Sequence, residues 1–105
     1  MTDLEMTKLC AEAMGMILSG KQRHQGIYCR KGSYVVKFDP LHDDAQAMAL
    51  VKKFDLHVGK TLRTPTMPRG SWFVSRTDKY EVTNADLNRA IVEVCAKMQA
   101  AKAHV

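Results

Sequence analysis

The stretch FDPLHDDAQAMALVKKFDL, residues 38–56, changes character halfway along. Asp39, His42, Asp43 and Asp44 gather around Pro40, and an apolar, alanine-rich run follows. One reading ends a strand and starts a helix here. Pro40 has no N–H to give a ladder and holds Asp39 toward extended geometry, so a strand stops there. Asp43 suits an N-cap, and Gln46, three residues on, completes a capping-box-like pair. Asp44 falls in the first turn, where the helix dipole favours negative charge, and Lys52 and Lys53 fall in the last, where it favours positive. Ala47, Leu50, Val51 and Phe54 keep helical spacing. A second reading makes Asp39, His42, Asp43 and Asp44 metal-ligand candidates around a divalent cation. The first is preferred, because each carboxylate has a local task and no second histidine stands four residues from His42. No metal or other cofactor is expected.

Toward the N-terminus, KQRHQG (21–26) reads as a basic loop, and IYCRKGSYVVKF (27–38) as a hairpin with its turn at Lys31-Gly32. Tyr34, Val36 and Phe38 share one face. Thr2 and Glu5 form a T-x-x-E box that opens a helix over 3–14. Its apolar stripe is Leu4, Leu9, Cys10, Ala13, Met14 and Ile17. Gly15 weakens its end, Gly20 is the expected stop, and 16–19 are open to extended geometry.

Toward the C-terminus, 56–62 predicts another strand. It contains HVGKT (57–61), which resembles the tail of a phosphate-binding loop. The glycine required five residues before Gly59 is Phe54, and Pro65 and Pro68 follow where a helix should begin. Nucleoside triphosphate hydrolysis is excluded on those grounds. RTPTMPRGS (63–71) reads as a loop or an excursion at a sheet edge. SWFVS and KYEV read as strands turning near Thr77-Asp78. Thr83 or Asn84 then caps a long helix with the stripe Leu87, Ile91, Val94, Cys95, Met98 and Ala101; Arg89, Glu93, Lys97 and Lys102 lie off it.

The pattern predicts an α+β fold: an αβα sandwich with three helices and one mainly antiparallel sheet of four to five strands. Tyr34-Val35-Val36 and Trp72-Phe73-Val74 are apolar on both faces, which predicts helices on both sides of the sheet. The 105 residues, 46% of them apolar, suit one domain over 1–105 without staples. No apolar run reaches the roughly 18–20 residues of a membrane span. Asp3, Glu5, Lys8 and Glu12 interrupt any secretory signal, so a soluble, cytoplasmic protein is expected.

Cys10, Cys29 and Cys95 form no C-x-x-C pair, which excludes a zinc ribbon and a thioredoxin motif. Cys10 and Cys95 lie on apolar stripes and read as reduced, buried thiols. Cys29 alternates within a strand, and its neighbour Arg30 faces the other way. His24 and His57 read as solvated, and His104 lies in a fraying tail. No Ser-His-Asp or Cys-His arrangement emerges, so no enzyme is expected.

The net charge of +5 favours anionic partners. Lys21, Arg23, His24, Arg30 and Lys31 cluster around the first hairpin. Lys60, Arg63, Arg69, Arg76 and Lys79 recur in the second β region, interleaved with Trp72 and Tyr80. If the regions are neighbours in one sheet, these cations form an anion-binding surface for RNA, DNA or a small nucleotide. The plainer reading, solvated loop charges and a core Trp72, is preferred, because no ribonucleoprotein or helix-turn-helix signature accompanies them.

LCAEAMG (9–15), DPLHDDAQAMALVKKFDL (39–56) and NRAIVEVCAKM (88–98) together resemble the phage ABA sandwich domain family. That family sets Asn or Asp before Pro-Leu, then Asp-Asp, then an alanine- and leucine-rich helix. Asp39, Pro40, Leu41, Asp43, Asp44 and Ala49 fit this pattern, and Arg89, Ala90 and Ile91 fit its terminal helix. The resemblance spans nearly the whole chain, though the 63–71 loop matches nothing in it. It implies an αβα sandwich and a bacteriophage or prophage origin, and no reaction. The resulting expectation is a non-enzymatic accessory protein that binds a host or phage protein in the bacterial cytosol, as an inhibitor of host defence. The alternative is direct nucleic-acid or nucleotide binding through the basic β region. Homodimerisation through an exposed sheet edge or helix face stays open.

Overall fold

The computed structural model describes residues 1–18, 27–31, 33–60, 65, 70–77 and 79–103, the side chains of Lys31 and Ala103 excepted. The chain begins with α1 (Asp3–Ala13), held open at its start by a full capping box. Thr2 Oγ1 accepts from the Glu5 N–H at 3.1 Å, and Glu5 Oε2 accepts from the Thr2 N–H at 3.4 Å. The helix ends at Ala13 with Met14 as its C-cap, and Gly15 follows with a φ of 76°, open to a residue without Cβ. The stop therefore comes before the predicted Gly20, which lies outside the described residues, and the chain is already extended at Ile17.

β1 (Ile17–Leu18), β2 (Ile27–Lys31) and β3 (Tyr34–Phe38) form an antiparallel sheet in the order β1-β2-β3. Lys31 pairs with Tyr34, so it is the last strand residue rather than part of the turn. α2 (Asp44–Phe54) follows, capped by Asp43, whose Oδ1 accepts from the Gln46 N–H at 3.0 Å. It ends at Asp55, which takes up a left-handed φ of 53°. The Leu56 N–H then bonds to the Val51 carbonyl.

β4 (His57–Lys60), β5 (Trp72–Arg76) and β6 (Tyr80–Asn84) form a second antiparallel sheet in the order β4-β5-β6. Thr83 and Asn84, expected to cap the last helix, pair instead with Phe73 and Trp72. α3 (Leu87–Ala103) starts after two short side-chain turns. Asn84 Oδ1 accepts from the Asp86 N–H at 2.9 Å, and Asp86 Oδ1 from the Asn88 N–H at 3.1 Å.

Among the described residues the fold is thus α+β with three helices, and two three-stranded sheets replace the expected single sheet of four to five strands. β3 leaves its sheet at Pro40 and runs directly into α2. β4 begins only after that helix and finds its ladder in β5. Val35 is 59% exposed, so the expected cover on both faces is missing from the first sheet.

α3 holds the core together, packing against α1, α2, β5 and β6. Ala90, Ile91, Val92, Val94, Cys95 and Ala96 are all buried. Consecutive buried positions wrap around a helix, so α3 is covered on several sides rather than along one stripe. The stripe contained Ile91, Val94 and Cys95 and missed Ala90, Val92 and Ala96. Around them stand Met6, Cys10 and Ala11 of α1, Ala47 and Leu50 of α2, and Val74 and Val82 of the second sheet.

Arg89 fastens the outer start of α3 to α1. Its Nη1 and Nη2 donate to the two carboxylate oxygens of Asp3 at 2.9 Å each. These hydrogen bonds hold the Asp3 carboxyl below its ordinary value and the Arg89 guanidinium above its own, against the opposing effect of desolvation. Both side chains are well exposed, so solvent screens the pair. Arg89→Ala is expected to cost at most about 1 kcal/mol at neutral pH. A depressed carboxyl contributes above its unfolded value and loses that contribution as pH falls through the folded one. Urea titrations should therefore show the gap between wild type and Arg89→Ala closing below the ordinary carboxylate range. Ile91→Ala, by contrast, should cost about 2–5 kcal/mol at either pH.

Candidate interaction surface

The corner from Asp39 to Gln46 is braced throughout. His42 Nδ1 lies 3.0 Å from both carboxylate oxygens of Asp39. Asp43 caps α2, and Asp44 Oδ1 accepts from Asn88 Nδ2 at 2.8 Å, joining the starts of α2 and α3. Asp39 and His42 thus face each other, while Asp43 and Asp44 each turn to a different partner. Among the described residues, no group of three or more His, Cys, Asp or Glu side chains is placed to hold a metal ion.

Gln46 does something its sequence position does not announce. In a capping box its side chain would turn back to the Asp43 N–H. Instead its Oε1 accepts from the Asp39 N–H at 2.6 Å, and its Nε2 donates to the Lys37 carbonyl at 2.8 Å. These groups flank Phe38 on the side away from β2. A neighbouring strand would use the same carbonyl and N–H, so the Gln46 amide occupies the end of the β3 edge as a single strand residue would.

The phosphate-loop fragment dissolves in the same way. Gly59 lies within β4, opposite Phe73 of β5. The Phe73 ring lies across it so closely that a Cβ there would collide with the ring. The glycine therefore makes room for an aromatic ring, and its backbone belongs to a ladder.

Of the predicted anion-binding residues, Arg30, Lys60 and Arg76 have described side chains. Lys21, Arg23, His24, Arg63 and Arg69 lie outside the described residues, as does the Lys31 side chain. Lys60 and Arg76 share one face of the second sheet but pair at its opposite ends, with Trp72 and Tyr80 respectively. Lys60 Nζ stands 5.3 Å from the centre of the half-buried Trp72 ring, and Lys79 Nζ 5.6 Å from that of Tyr80. Arg30 belongs to the first sheet.

That sheet has two unlike faces. Ile27, Cys29 and Phe38 point inward and are buried. Ile17, Arg30 and Val35 are consecutive register partners and form a row across the opposite face. Ile17 is 68% exposed, and Arg30 and Lys37 are exposed as well. Half-buried Tyr28 pairs with Lys37 on this same face. β1, β2 and β3 contain Arg30, Lys31 and Lys37 and no carboxylate. The result is an apolar patch with cations beside it. The sequence reading missed it by treating Val35 as covered. Its signal was Lys37, two residues along on the same face, since a covered face rarely carries an unpaired lysine.

The three cysteines are free and buried. Contact with Cys95 and then burial push the Cys10 thiol far above its ordinary range, and burial pushes the Cys29 thiol up. Neither is a ready nucleophile.

Comparison with protein-family models, curated proteins and solved structures yields no match.

Gln46→Met keeps the side-chain length but leaves the Asp39 N–H and the Lys37 carbonyl without a partner. It should cost about 0.5–1.5 kcal/mol in a urea titration and speed amide exchange at Asp39. Asp43→Ala, which removes only the cap, should cost about 0.5–2 kcal/mol.

Proposed function

We propose that this chain is a non-enzymatic bacteriophage accessory protein of the phage ABA sandwich type. It acts by binding in the host cytosol, with an acidic protein of the host, such as a defence component, as its partner. The observation that carries this reading is the row Ile17, Arg30 and Val35 with Lys37 beside it. Large aliphatic side chains left in water favour contact with another apolar surface. Cations beside them select a partner with acidic groups around its own apolar patch. Among the described residues, no helix is long and apolar enough to cross a membrane. The family motifs in α1, α2 and α3 support the phage origin, and the three helices suit a sandwich architecture.

Direct nucleic-acid binding is the second reading, favoured by Lys60 seated on Trp72. It ranks lower because Lys60 and Arg76, the described cations of the second sheet's strands, pair at its opposite ends.

Immobilised wild-type protein should retain a protein from nuclease-treated bacterial lysate that Val35→Asp and Ile17→Asp no longer retain, with both variants melting within a few degrees of wild type. Equal retention by wild type and variants would remove this face from consideration. Retention that disappears with nuclease and falls steeply with salt would establish the nucleic-acid reading instead.

A further inference from the structure

Away from the partner face, a pair of sulfurs meets in the helical core. Cys10 of α1 and Cys95 of α3 are 0% and 2% exposed, and their two helices pack against each other. Cys10 Sγ donates to the Val92 carbonyl at 3.3 Å, so this side chain reaches the backbone of α3. Val92 and Cys95 stand three residues apart on α3 and share one of its faces, so the Cys10 sulfur reaches the turn that carries Cys95. Ala11 and Ala96, next to the two cysteines, are buried and small, which lets the two backbones approach.

We propose that Cys10 and Cys95 form an internal redox pair that closes into a disulfide between α1 and α3. The oxidant is a peroxide or a small-molecule disulfide. With a peroxide, an S–S bond forms, the two thiols give up their hydrogens, and the O–O bond breaks to release two molecules of water. With a small disulfide, exchange through a mixed disulfide releases two small thiols. Burial makes the reaction slow, because a sulfur must first be exposed by local opening of the α1–α3 contact. Once closed, the bridge ties together two ends of the chain and restricts the unfolded state. Cys29, on β2, takes no part.

The full chain is treated with hydrogen peroxide or oxidised glutathione, then denatured for thiol titration and digested for peptide mapping. The titre should fall from three thiols to one, and the intact mass by two hydrogens. The map should join the peptides containing Cys10 and Cys95. Tm should rise and return to its starting value with reductant. Cys29→Ser should retain the response and Cys95→Ser should lose it. Should Cys95→Ser fail to fold, the wild-type peptide map decides alone. Retention of all three thiols, oxygen added to the sulfurs, or a bridge to Cys29 or to a second chain would each overturn the proposal.

Discussion

Everything in this fold leans on the burial of α3. A helix of 17 residues covered by two helices and two strands cannot present charge on those sides, and its middle accordingly reads AIVEVCA. The alanines matter as much as the larger residues. Ala90 and Ala96 are fully enclosed, and a longer side chain at either position would push a neighbouring element away. α1 reaches this helix through its own small and flexible residues, Met6, Cys10 and Ala11. The second sheet reaches it through Val74 and Val82. The first sheet rests mainly on α1, and so it follows the core at one remove.

The Asp39–Gln46 corner shows how local polar chemistry turns a strand into a helix. Pro40 ends β3, and Asp43 begins α2 within a few residues. Gln46 then occupies the Lys37 carbonyl and the Asp39 N–H at the end of the β3 edge. The turn from β3 into α2 is thus held by short-range hydrogen bonds. Asp44 carries the same corner across to α3 through Asn88.

How far the sequence could be read follows from the range of the interactions involved. The Thr2–Glu5 box and the Asp43 cap were legible because capping depends on residues within one turn. The start of α3 was misplaced because Thr83 and Asn84 are good caps locally but are claimed by pairing with β5. The many-sided burial of α3 was hidden, since a periodic stripe registers one face and Ala90, Val92 and Ala96 fall outside it. The role of Gln46 was hidden because its partners, Lys37 and Asp39, precede it across the corner. At the candidate surface, the basic residues were visible as a composition but not as a shape. Arg30 lies on the outer face of one sheet, and Lys60 and Arg76 at opposite ends of the other.

The two faces of the first sheet also divide evolutionary freedom. Ile27, Cys29 and Phe38 are committed to the interior, and most changes there are paid for in folding free energy. Ile17, Arg30, Val35 and Lys37 support no part of the core, and surface positions of this kind tolerate substitution within about 0.5 kcal/mol. A lineage can therefore redraw this face residue by residue while its fold stays intact. Alternate positions along the same strands would diverge at different speeds, one set nearly frozen and the other drifting with whatever it meets.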